Sequence, residues 1–437
     1  MWSVIGALAA IVIALGTGAV LCSQTDLNCR IRSAPEVAVE NYAEKGGALP
    51  TLRSDLRTVR IASGLEQPTD FDFLPDGRIV VAERAGTLRV LGKEDGRASL
   101  FLDIRSLVAT ALFRGLVDVT VDADFAKHPY VYVVYPVARA DAPPNAPTTV
   151  RVSRFTVRGE KADPASEKVV LGSSPGPSCP DLPATSDCLP SDVDHIGADI
   201  KFAEDGTLFI ATGEGGGKEE VEPNAFLAQN LDSLAGKILR VDRNGHGLED
   251  NPFWNGDPAA NRSKVWAYGF RNPFRLSLER DTGLLVAGDV GWYTAEELNV
   301  VYRGKDYGWP CREGLGKTPK YADEQFCRDY YPGQGRRAAP PSIEIKRPAA
   351  RSITAGAFLT RATRLPKSYR SRYLFGDWLV NTLWLTTITG AESGRGLEAV
   401  RELGKNIGGP VAIAVGPDGS VYYLALNVGE LRRITSS

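Results

Sequence analysis

One histidine lies in a sequence context that suits proton transfer. His195 closes the string SDVDH (191–195), directly before a predicted strand, and two aspartates lie close to it in the chain. A neutral imidazole is the best-matched general base near neutral pH. The pattern therefore indicates a candidate general base, with a purely structural histidine as the alternative.

The string YGFRNP (268–273) places a guanidinium and an amide on neighbouring residues. Arg271 and Asn272 precede a proline that stiffens the loop. Together they offer several directed donors to a carbonyl, a carboxylate or a developing oxyanion. The alternative is an arginine that only binds the carbonyls of its own loop.

A pair of acidic residues precedes a glycine-containing loop. Glu296 and Glu297 are followed by the string KDYGWP (305–310). Carboxylate and main-chain oxygens are the ligands that calcium prefers. The spacing favours a calcium site, and a solvated acidic face is the alternative.

These residues need a scaffold, and a recurring unit of the sequence predicts one. An apolar stretch, a turn with Asp and Gly, and an alternating strand follow one another in four segments, 71–86, 200–216, 276–291 and 413–434. Asp-Gly supplies the positive φ of tight hairpin turns, and the alternation predicts half-buried strands. Segments 116–137 and 355–388 resemble the unit without the turn signature.

About six such units predict an all-β, six-bladed β-propeller, since radial blades leave only short and protected strand edges. A sandwich or irregular barrel is the alternative architecture. In a propeller, functional residues are expected on loops at one end of the central channel.

Composition agrees with a soluble β domain and argues against nucleic acid as a partner. The 437 residues are 43% hydrophobic and 24% charged, with 45 glycines and 28 prolines, which favours turns and strands over helices. The net charge of -2 lacks the positive excess that binding to a phosphate backbone requires.

The N-terminal region and the cysteines indicate export. Residues 4–21 are apolar or small, so we expect 1–22 to be a signal peptide or membrane anchor, 23–56 a tether and 57–437 the propeller. The six cysteines form three local pairs, Cys22/Cys29, Cys179/Cys188 and Cys311/Cys327. Such pairs are typical of loop disulfides in an oxidising compartment, which predicts a periplasmic or secreted protein.

Longer strings identify a family. The segments PTDFDFLPDGRIVVAERAGTLRVL, DHIGADIKFAEDGTLFIATGEGG, VWAYGFRNPFRLSLE and EELNVVYRGKDYGWPCREG occur in the order found in glucose/sorbosone dehydrogenases. The chain from about residue 58 to 435 resembles that family. Its members include soluble aldose dehydrogenases, six-bladed propellers that use pyrroloquinoline quinone (PQQ).

The resemblance implies roles for residues at matching positions. His195 would remove the hydroxyl proton of the substrate, and Arg271 and Asn272 would contact the quinone carbonyls. The main-chain carbonyls of Gly291 and Trp292 would bind the calcium of the cofactor.

Two further groups of residues are implied by the same resemblance. Glu297 and Tyr307 match positions associated with a second calcium. Glu214 stands where the family commonly has an aspartate, and Arg114 stands where soluble aldose dehydrogenases have a glutamine, so both are expected at the cofactor.

One departure affects cofactor affinity. Two arginines that grip the cofactor carboxylates in the family are replaced by the string GPV (409–411), with Arg351 or Arg361 as candidates to approach from a loop. Each charge-assisted contact contributes roughly 1.5–3 kcal/mol. We therefore expect weaker binding of PQQ than in relatives that keep both arginines.

The sequence predicts an exported PQQ-dependent oxidoreductase that oxidises a sugar or related alcohol and passes electrons to an external acceptor, with membrane attachment through residues 4–21 left open. Two alternatives belong to other classes. One is a calcium-dependent propeller lactonase or esterase with its metal in the channel. The other is a binding module that has lost the cofactor.

Overall fold

The computed structural model describes residues 50–437, apart from 94–95, 175–178, 180–181, 184, 192–194, 198, 218–219, 332–337 and 391–393. The apolar segment 1–22, the Cys22/Cys29 pair and the two aspartates just before His195 lie outside the described residues. Within the described part of the chain, no helix is long and apolar enough to cross a membrane.

Two strands at the start of the described chain join blades that are otherwise built from its end. They are β1 (Thr51–Leu52) and β2 (Leu56–Ala62).

Four sheets then follow in chain order, and each starts with the strand nearest the channel. Blade one contains β3 (Pro68–Phe73), β4 (Ile79–Glu83), β5 (Thr87–Leu91) and β6 (Ala98–Asp103). Blade two contains β7 (Asp118–Val121), β8 (Tyr130–Pro136), β9 (Thr148–Arg158), β10 (Lys161–Ala162), β11 (Lys168–Leu171) and β12 (Leu189–Ser191). Blade three contains β13 (Asp199–Phe202), β14 (Leu208–Thr212), β15 (Lys237–Val241) and β16 (Val265–Tyr268). Blade four contains β17 (Pro273–Glu279), β18 (Leu284–Asp289), β19 (Ala295–Val300) and β22 (Ile343–Lys346).

The remaining strands form a small hairpin and two more blades. The hairpin pairs β20 (Arg312–Glu313) with β21 (Gly316–Lys317). Blade five contains β23 (Ile353–Leu359), β24 (Arg372–Asp377), β25 (Thr382–Thr386), β26 (Arg401–Lys405) and β1. Blade six contains β27 (Pro410–Val415), β28 (Val421–Ala425), β29 (Glu430–Ser436) and β2.

Helices are short and lie in the connections. Among the described residues, the α-helices are α1 (Asn261–Lys264) and α2 (Gln325–Tyr330). The 3-10 helices of the same residues are Pro164–Ser166, Pro223–Gln229, Tyr321–Asp323, Lys367–Tyr369, Leu397–Ala399 and Leu426–Val428.

The six-bladed β-propeller is thereby confirmed, and its two ends are joined in one blade. Strand β2 pairs with β29 from Leu56 opposite Ser436 onwards, so the first long strand completes the last blade. Strand β1 pairs with β26 of blade five, although its residues fall within the range 23–56 expected as a tether.

The Asp-Gly turns form hairpins as predicted. Between β3 and β4, the Asp76 carboxylate accepts the backbone N–H of Arg78 at 2.9 Å, and Gly77 has φ 86°. Gly206 and Gly419 repeat that positive φ in blades three and six. Each of these turns connects the innermost strand of its blade to the second strand.

The strands are more deeply buried than their alternation predicted. All five residues of β4 are buried. Successive side chains point to opposite faces of a strand, and here Val80 packs towards blade two while Val81 packs towards blade six. A blade covered on both faces removes the half-exposed pattern, which explains the difference.

Both disulfides within the described chain are confirmed. Cys179 bonds Cys188 and Cys311 bonds Cys327, with Cα–Cα distances of 5.6 and 5.2 Å. The second one ties α2 to an aromatic cap in which Trp292, Trp309 and Tyr321 pack together.

A group of charged side chains lies across the central channel between the innermost strands. We call Asp70, Asp118, Asp199, Lys201 and Arg275 the channel cluster. Arg275 donates to the main-chain carbonyls of Thr69, Val117 and Val411 at 2.7, 2.9 and 3.1 Å. The cluster separates a cavity of about 520 Å³ from a second one of about 480 Å³ on the far side.

Candidate active site

The 520 Å³ cavity opens among loops that lead into the innermost strands. Its lining includes 110–113, 195–197, 271–272, 290–292, 351–352 and 378–379. His195, Arg271, Asn272, Gly291 and Trp292, which are far apart in sequence, therefore share one wall. The volume lies within the roughly 300–1,000 Å³ typical of small-molecule sites.

His195 is held between a carboxylate and a guanidinium. Its Nδ1 lies 2.8 Å from Oε1 of Glu214, and its Nε2 lies 2.9 Å from Nη2 of Arg271. A guanidinium only donates hydrogen bonds, so Nε2 accepts and the imidazole proton sits on Nδ1. The contacts thus define a neutral tautomer whose Nε2 lone pair is the basic site.

The backbone at His195 adopts a conformation that is uncommon outside glycine. Its φ is 46°, and its carbonyl accepts the N–H of Gly215 at 3.0 Å. This links the histidine to the glycine-rich segment 213–217, which carries the partner carboxylate. Unusual backbone conformations of this kind cluster at functional sites.

Glu214 orients the histidine instead of lining the cavity. Its side chain is 1% exposed, one oxygen faces Nδ1 of His195, and the other accepts from Nε1 of Trp309. Burial raises the pKa of Glu214 to about 8, against the charge of Arg271. Since both oxygens accept hydrogen bonds, these contacts favour the ionised carboxylate.

Arg271 braces the loop as well as the histidine. Its Nη1 donates to the carbonyls of Val290 and Gly291 at 2.9 and 2.8 Å, while its Nε is buried and finds no hydrogen-bond partner within the described chain. The carbonyls that Arg271 binds belong to the loop at 290–291, and its contact with a ligand stays a prediction. Asn272 is fixed beside it, because its Oδ1 accepts the N–H of Gly197 at 3.1 Å.

The carbonyl of Gly291 already accepts two guanidinium donors. Arg271 contributes one at 2.8 Å, and Nη2 of Arg347 contributes the other at 2.9 Å. Only glycine fits here, since a Cβ would lie 1.7 Å from the carbonyl oxygen of Ala295. The next residue, Trp292, places its side chain in the aromatic cap.

Glu313 holds the loop that follows Gly291, and sequence reasoning missed it. Its Oε1 accepts the backbone N–H groups of Trp292, Tyr293 and Thr294 at 2.5, 2.8 and 3.0 Å. Only the register of hairpin β20–β21 brings this side chain back, and no sequence pattern signals it. Glu313 thereby fixes one wall of the cavity.

Glu296 and Glu297 are buried, so the solvated-face alternative is wrong. They occupy successive positions of β19 and point to opposite faces. Glu296 binds Arg347 at 2.5 Å, whereas Glu297 accepts from Asn299 at 2.9 Å and from the N–H of Gly314.

A group of buried oxygen atoms surrounds Glu297. Asp289 is its cross-strand partner, and Oδ1 of Asn299 and Oε2 of Glu313 are buried without a hydrogen-bond partner from any described residue. Burial, with repulsion from Asp289, raises the pKa of Glu297 to about 8. The donor set is that of a hard cation.

Tyr307 packs in the core between blades three and four. Its ring stacks on Phe270 with centroids 4.5 Å apart, and its hydroxyl donates to the carbonyl of Val300 at 2.5 Å. Val300 ends the strand that carries Glu297, so the two residues are tied to one strand.

Arg271, Arg347 and Arg351, which we call the cavity arginines, all line the 520 Å³ cavity. Arg351 was one of two candidates to replace the missing arginines, and its exposed guanidinium makes no hydrogen bond within the described chain. The other candidate is wrong, because the neighbours of Arg361 line the far cavity.

Arg114 does not line the cavity. Its guanidinium is buried and donates to the carbonyls of Ser191 and Ala146, each at 2.7 Å. The neighbouring Phe113 occupies the wall instead. Arg114 thus ties blade two to its own loops, contrary to the expected cofactor contact.

A family model for glucose/sorbosone dehydrogenases matches residues 65–433. The chain belongs to this family. As a family member it is 28% identical over 395 residues to the uncharacterized protein slr1608 of Synechocystis sp., covering 87% of each chain. It is 30% identical to the aldose sugar dehydrogenase YliI of Escherichia coli over 247 residues, and this alignment covers 56% of this chain and 59% of YliI.

A solved structure supports the fold of this family member. The PQQ-bound aldose sugar dehydrogenase of Streptomyces coelicolor matches it with a TM-score of 0.65 and 21% identity, over 89% of this chain and 100% of that chain. At that identity the likeness concerns the six-bladed fold.

Proposed function

We propose that this protein is an exported PQQ-dependent dehydrogenase that oxidises a sugar or related alcohol and delivers the electrons to an external acceptor. The observation that carries the proposal is the neutral His195, whose basic Nε2 belongs to the wall of a cavity rich in guanidinium groups. A base beside cationic donors suits an alcohol substrate and an anionic cofactor.

The cavity residues fit PQQ, a flat quinone with three carboxylates. The cavity arginines would hold its carboxylates and carbonyls, and Trp292, Phe274 and Trp378 provide apolar walls. Guanidinium groups bind carboxylates through paired hydrogen bonds. When bound, PQQ would supply the quinone that accepts a hydride, which is two electrons with the hydrogen, from the substrate carbon.

His195 would take the proton of the substrate hydroxyl on Nε2. For this, Nη2 of Arg271 must give up its hydrogen bond to that atom and turn to an oxygen of the cofactor. Glu214 keeps the other imidazole proton on Nδ1 and would stabilise the imidazolium that forms. Glu214 is thus a positioning residue, and Arg271 and His195 are the catalytic ones.

We further propose a structural calcium at the buried oxygens around Glu297. Oε2 of Glu313 and Oδ1 of Asn299 have no hydrogen-bond partner in the described part of the chain, so a cation would satisfy both. The main chain of Tyr307 is the further ligand that the family resemblance implies. Such an ion would stabilise the loop between Gly291 and Ala295.

The hydrolase alternative needs a metal in the channel, and three carboxylates do approach one another there, Asp70, Asp118 and Asp199. Lys201 and Arg275 lie among them, with Lys201 2.5 Å from Asp199. Two cations of the protein already compensate this charge, so the channel cluster does not favour hydrolysis.

The proposal is tested by a dye-reduction assay after the protein is mixed with PQQ, with sugars and alcohols as substrates. We expect substrate-dependent reduction in the wild type and its loss in His195→Ala. Arg361→Gln, at the far cavity, is the matched control and should reduce dye like the wild type. Equal activity of wild type and His195→Ala would contradict the assigned base.

A further inference from the structure

The proposed function does not explain why two guanidinium groups bind the carbonyl of Gly291. A carbonyl oxygen has two lone pairs, and here both face guanidinium donors, at 2.8 Å from Arg271 and 2.9 Å from Arg347. The family resemblance implies a calcium ion at this oxygen. A cation at that point would lie against two positive charges, so it does not fit this arrangement.

Arg347 is fixed in place by its own set of partners. Nη2 also lies 2.5 Å from Oε1 of Glu296 and 3.0 Å from the carbonyl oxygen of Arg351, so its two hydrogens are shared among three acceptors. Glu296 is fully buried, and its second oxygen accepts the N–H of Ile353 at 3.0 Å. The guanidinium is therefore built into the wall between blades four and five.

One N–H group of the Arg347 guanidinium remains available for a ligand. Its Nε is buried and has no hydrogen-bond partner among the residues that the structure describes, and the residue lines the cavity. Glu296 neutralises one of the charges here, while the exposed Arg351 adds another. The wall thus keeps a positive charge where an anionic or quinone oxygen would approach.

We infer that Arg347 supplies, beside the Gly291 carbonyl, the positive charge that calcium would otherwise supply, so that this protein binds PQQ without a calcium ion at the cofactor. This inference rests on the proposed function. It is distinct from the structural calcium around Glu297, which lies on the opposite face of β19 from Glu296.

The test is an equilibrium titration with PQQ, followed by the absorbance of the cofactor, in calcium and in a calcium chelator. For each protein the Kd in chelator divided by the Kd in calcium measures how much PQQ binding depends on calcium. We compare the wild type with Arg347→Gln, which removes the charge, and Arg347→Lys, which keeps it. Arg351→Gln is the matched control, because it removes a cavity charge that does not contact Gly291.

We expect a ratio below about three for the wild type, Arg347→Lys and Arg351→Gln. In Arg347→Gln the ratio should be on the order of ten or more, since calcium could then approach the freed carbonyl. Loss of the structural calcium affects all four proteins alike, so it cancels when the ratios are compared.

Two results would overturn the inference and leave the proposed function standing. One is a wild type that needs calcium to bind PQQ, and the other is the same ratio in wild type and Arg347→Gln. If Arg347→Gln does not fold, the wild-type and Arg347→Lys ratios still decide. A wild type that binds no PQQ in either condition would overturn the proposed function, and this inference with it.

Discussion

The channel cluster and the cavity arginines are two groups of charged side chains along one channel, and they differ in what neutralises them. In the channel cluster three carboxylates surround two cations. The cavity arginines bind mainly main-chain carbonyls, and within the described chain Glu296 is the carboxylate bonded to them. The first group is neutralised by the protein, whereas the second leaves positive charge for a ligand.

The pKa shifts agree with this contrast. Burial, together with the charges of Asp199 and Asp70, raises the pKa of Asp118 well above its ordinary value. Although burial opposes it, the same aspartates raise the pKa of Lys201. The raised pKa values of Asp118 and Lys201 thus agree with a group of charges that the protein itself neutralises.

The largest effect is expected when one of the two cations of the channel cluster is removed. Arg275→Gln leaves the buried aspartates underpaired, and breaking a buried pair costs about 3–5 kcal/mol. We expect the free energy of unfolding, measured with denaturant, to fall by that amount. Arg351→Gln is the matched control and should change it by less than about 0.5 kcal/mol. Equal stability of the two variants would remove the distinction between the groups.

At the cavity, the expected effect is on chemistry. His195→Ala should lower kcat by about 10²–10⁴-fold, the usual contribution of a general base, while its Kd for PQQ stays within a few-fold of the wild type. Arg271→Ala should impair both, since its guanidinium would contact the cofactor. Dye-reduction kinetics and PQQ titration of both variants measure this. Normal turnover in His195→Ala would leave the histidine a structural role.

Removal of calcium should have a smaller effect. An ion that binds only the folded state stabilises it by about 2.7 kcal/mol at a hundred times its Kd, so a chelator should lower Tm. Glu297→Gln should have a Tm that no longer responds to calcium. An unchanged wild-type Tm, with no calcium found by metal analysis, would mean that the buried oxygens hold protons instead.

The last effect is seen only over a range of pH and concerns a carboxyl group beside the channel cluster. Burial raises the pKa of Asp72 to about 6, so the folded state keeps a proton that the unfolded state releases. Its contribution to stability is present at low pH and is lost as pH rises through 6, by at most about 3 kcal/mol. Denaturant unfolding from pH 4 to 8 should show this slope in the wild type and a flatter one in Asp72→Asn. The same slope in both proteins would place the titration elsewhere.

Local patterns made much of the fold predictable. Turns such as Asp76-Gly77 need a positive φ, which the residue types predict, and four units with such a turn plus two similar segments without it imply a six-bladed propeller. The depth of burial was not predictable from β4, because it depends on neighbouring blades. The loops with His195 and Arg271 were expected at one end of the channel because each precedes an innermost strand.

Other parts of the site depend on contacts that no local pattern records. Glu214 meets His195, and Glu313 meets the loop after Gly291, only through pairing between strands and loops far apart in the chain. Arg347 arrives from the connection between blades four and five. The cofactor contact predicted for Arg114 was wrong, because a matching position in the chain does not determine whether a side chain enters the cavity or a neighbouring loop.

An equilibrium titration of the purified wild type with PQQ, followed by cofactor absorbance at neutral pH, tests most directly whether the cavity binds the cofactor. Charge left open at the cavity arginines predicts saturable binding at one PQQ per chain, weakened at least tenfold in Arg271→Ala and unchanged in Arg361→Gln. No saturation, or the same weak binding in all three proteins, would contradict the claim that this cavity is a cofactor site.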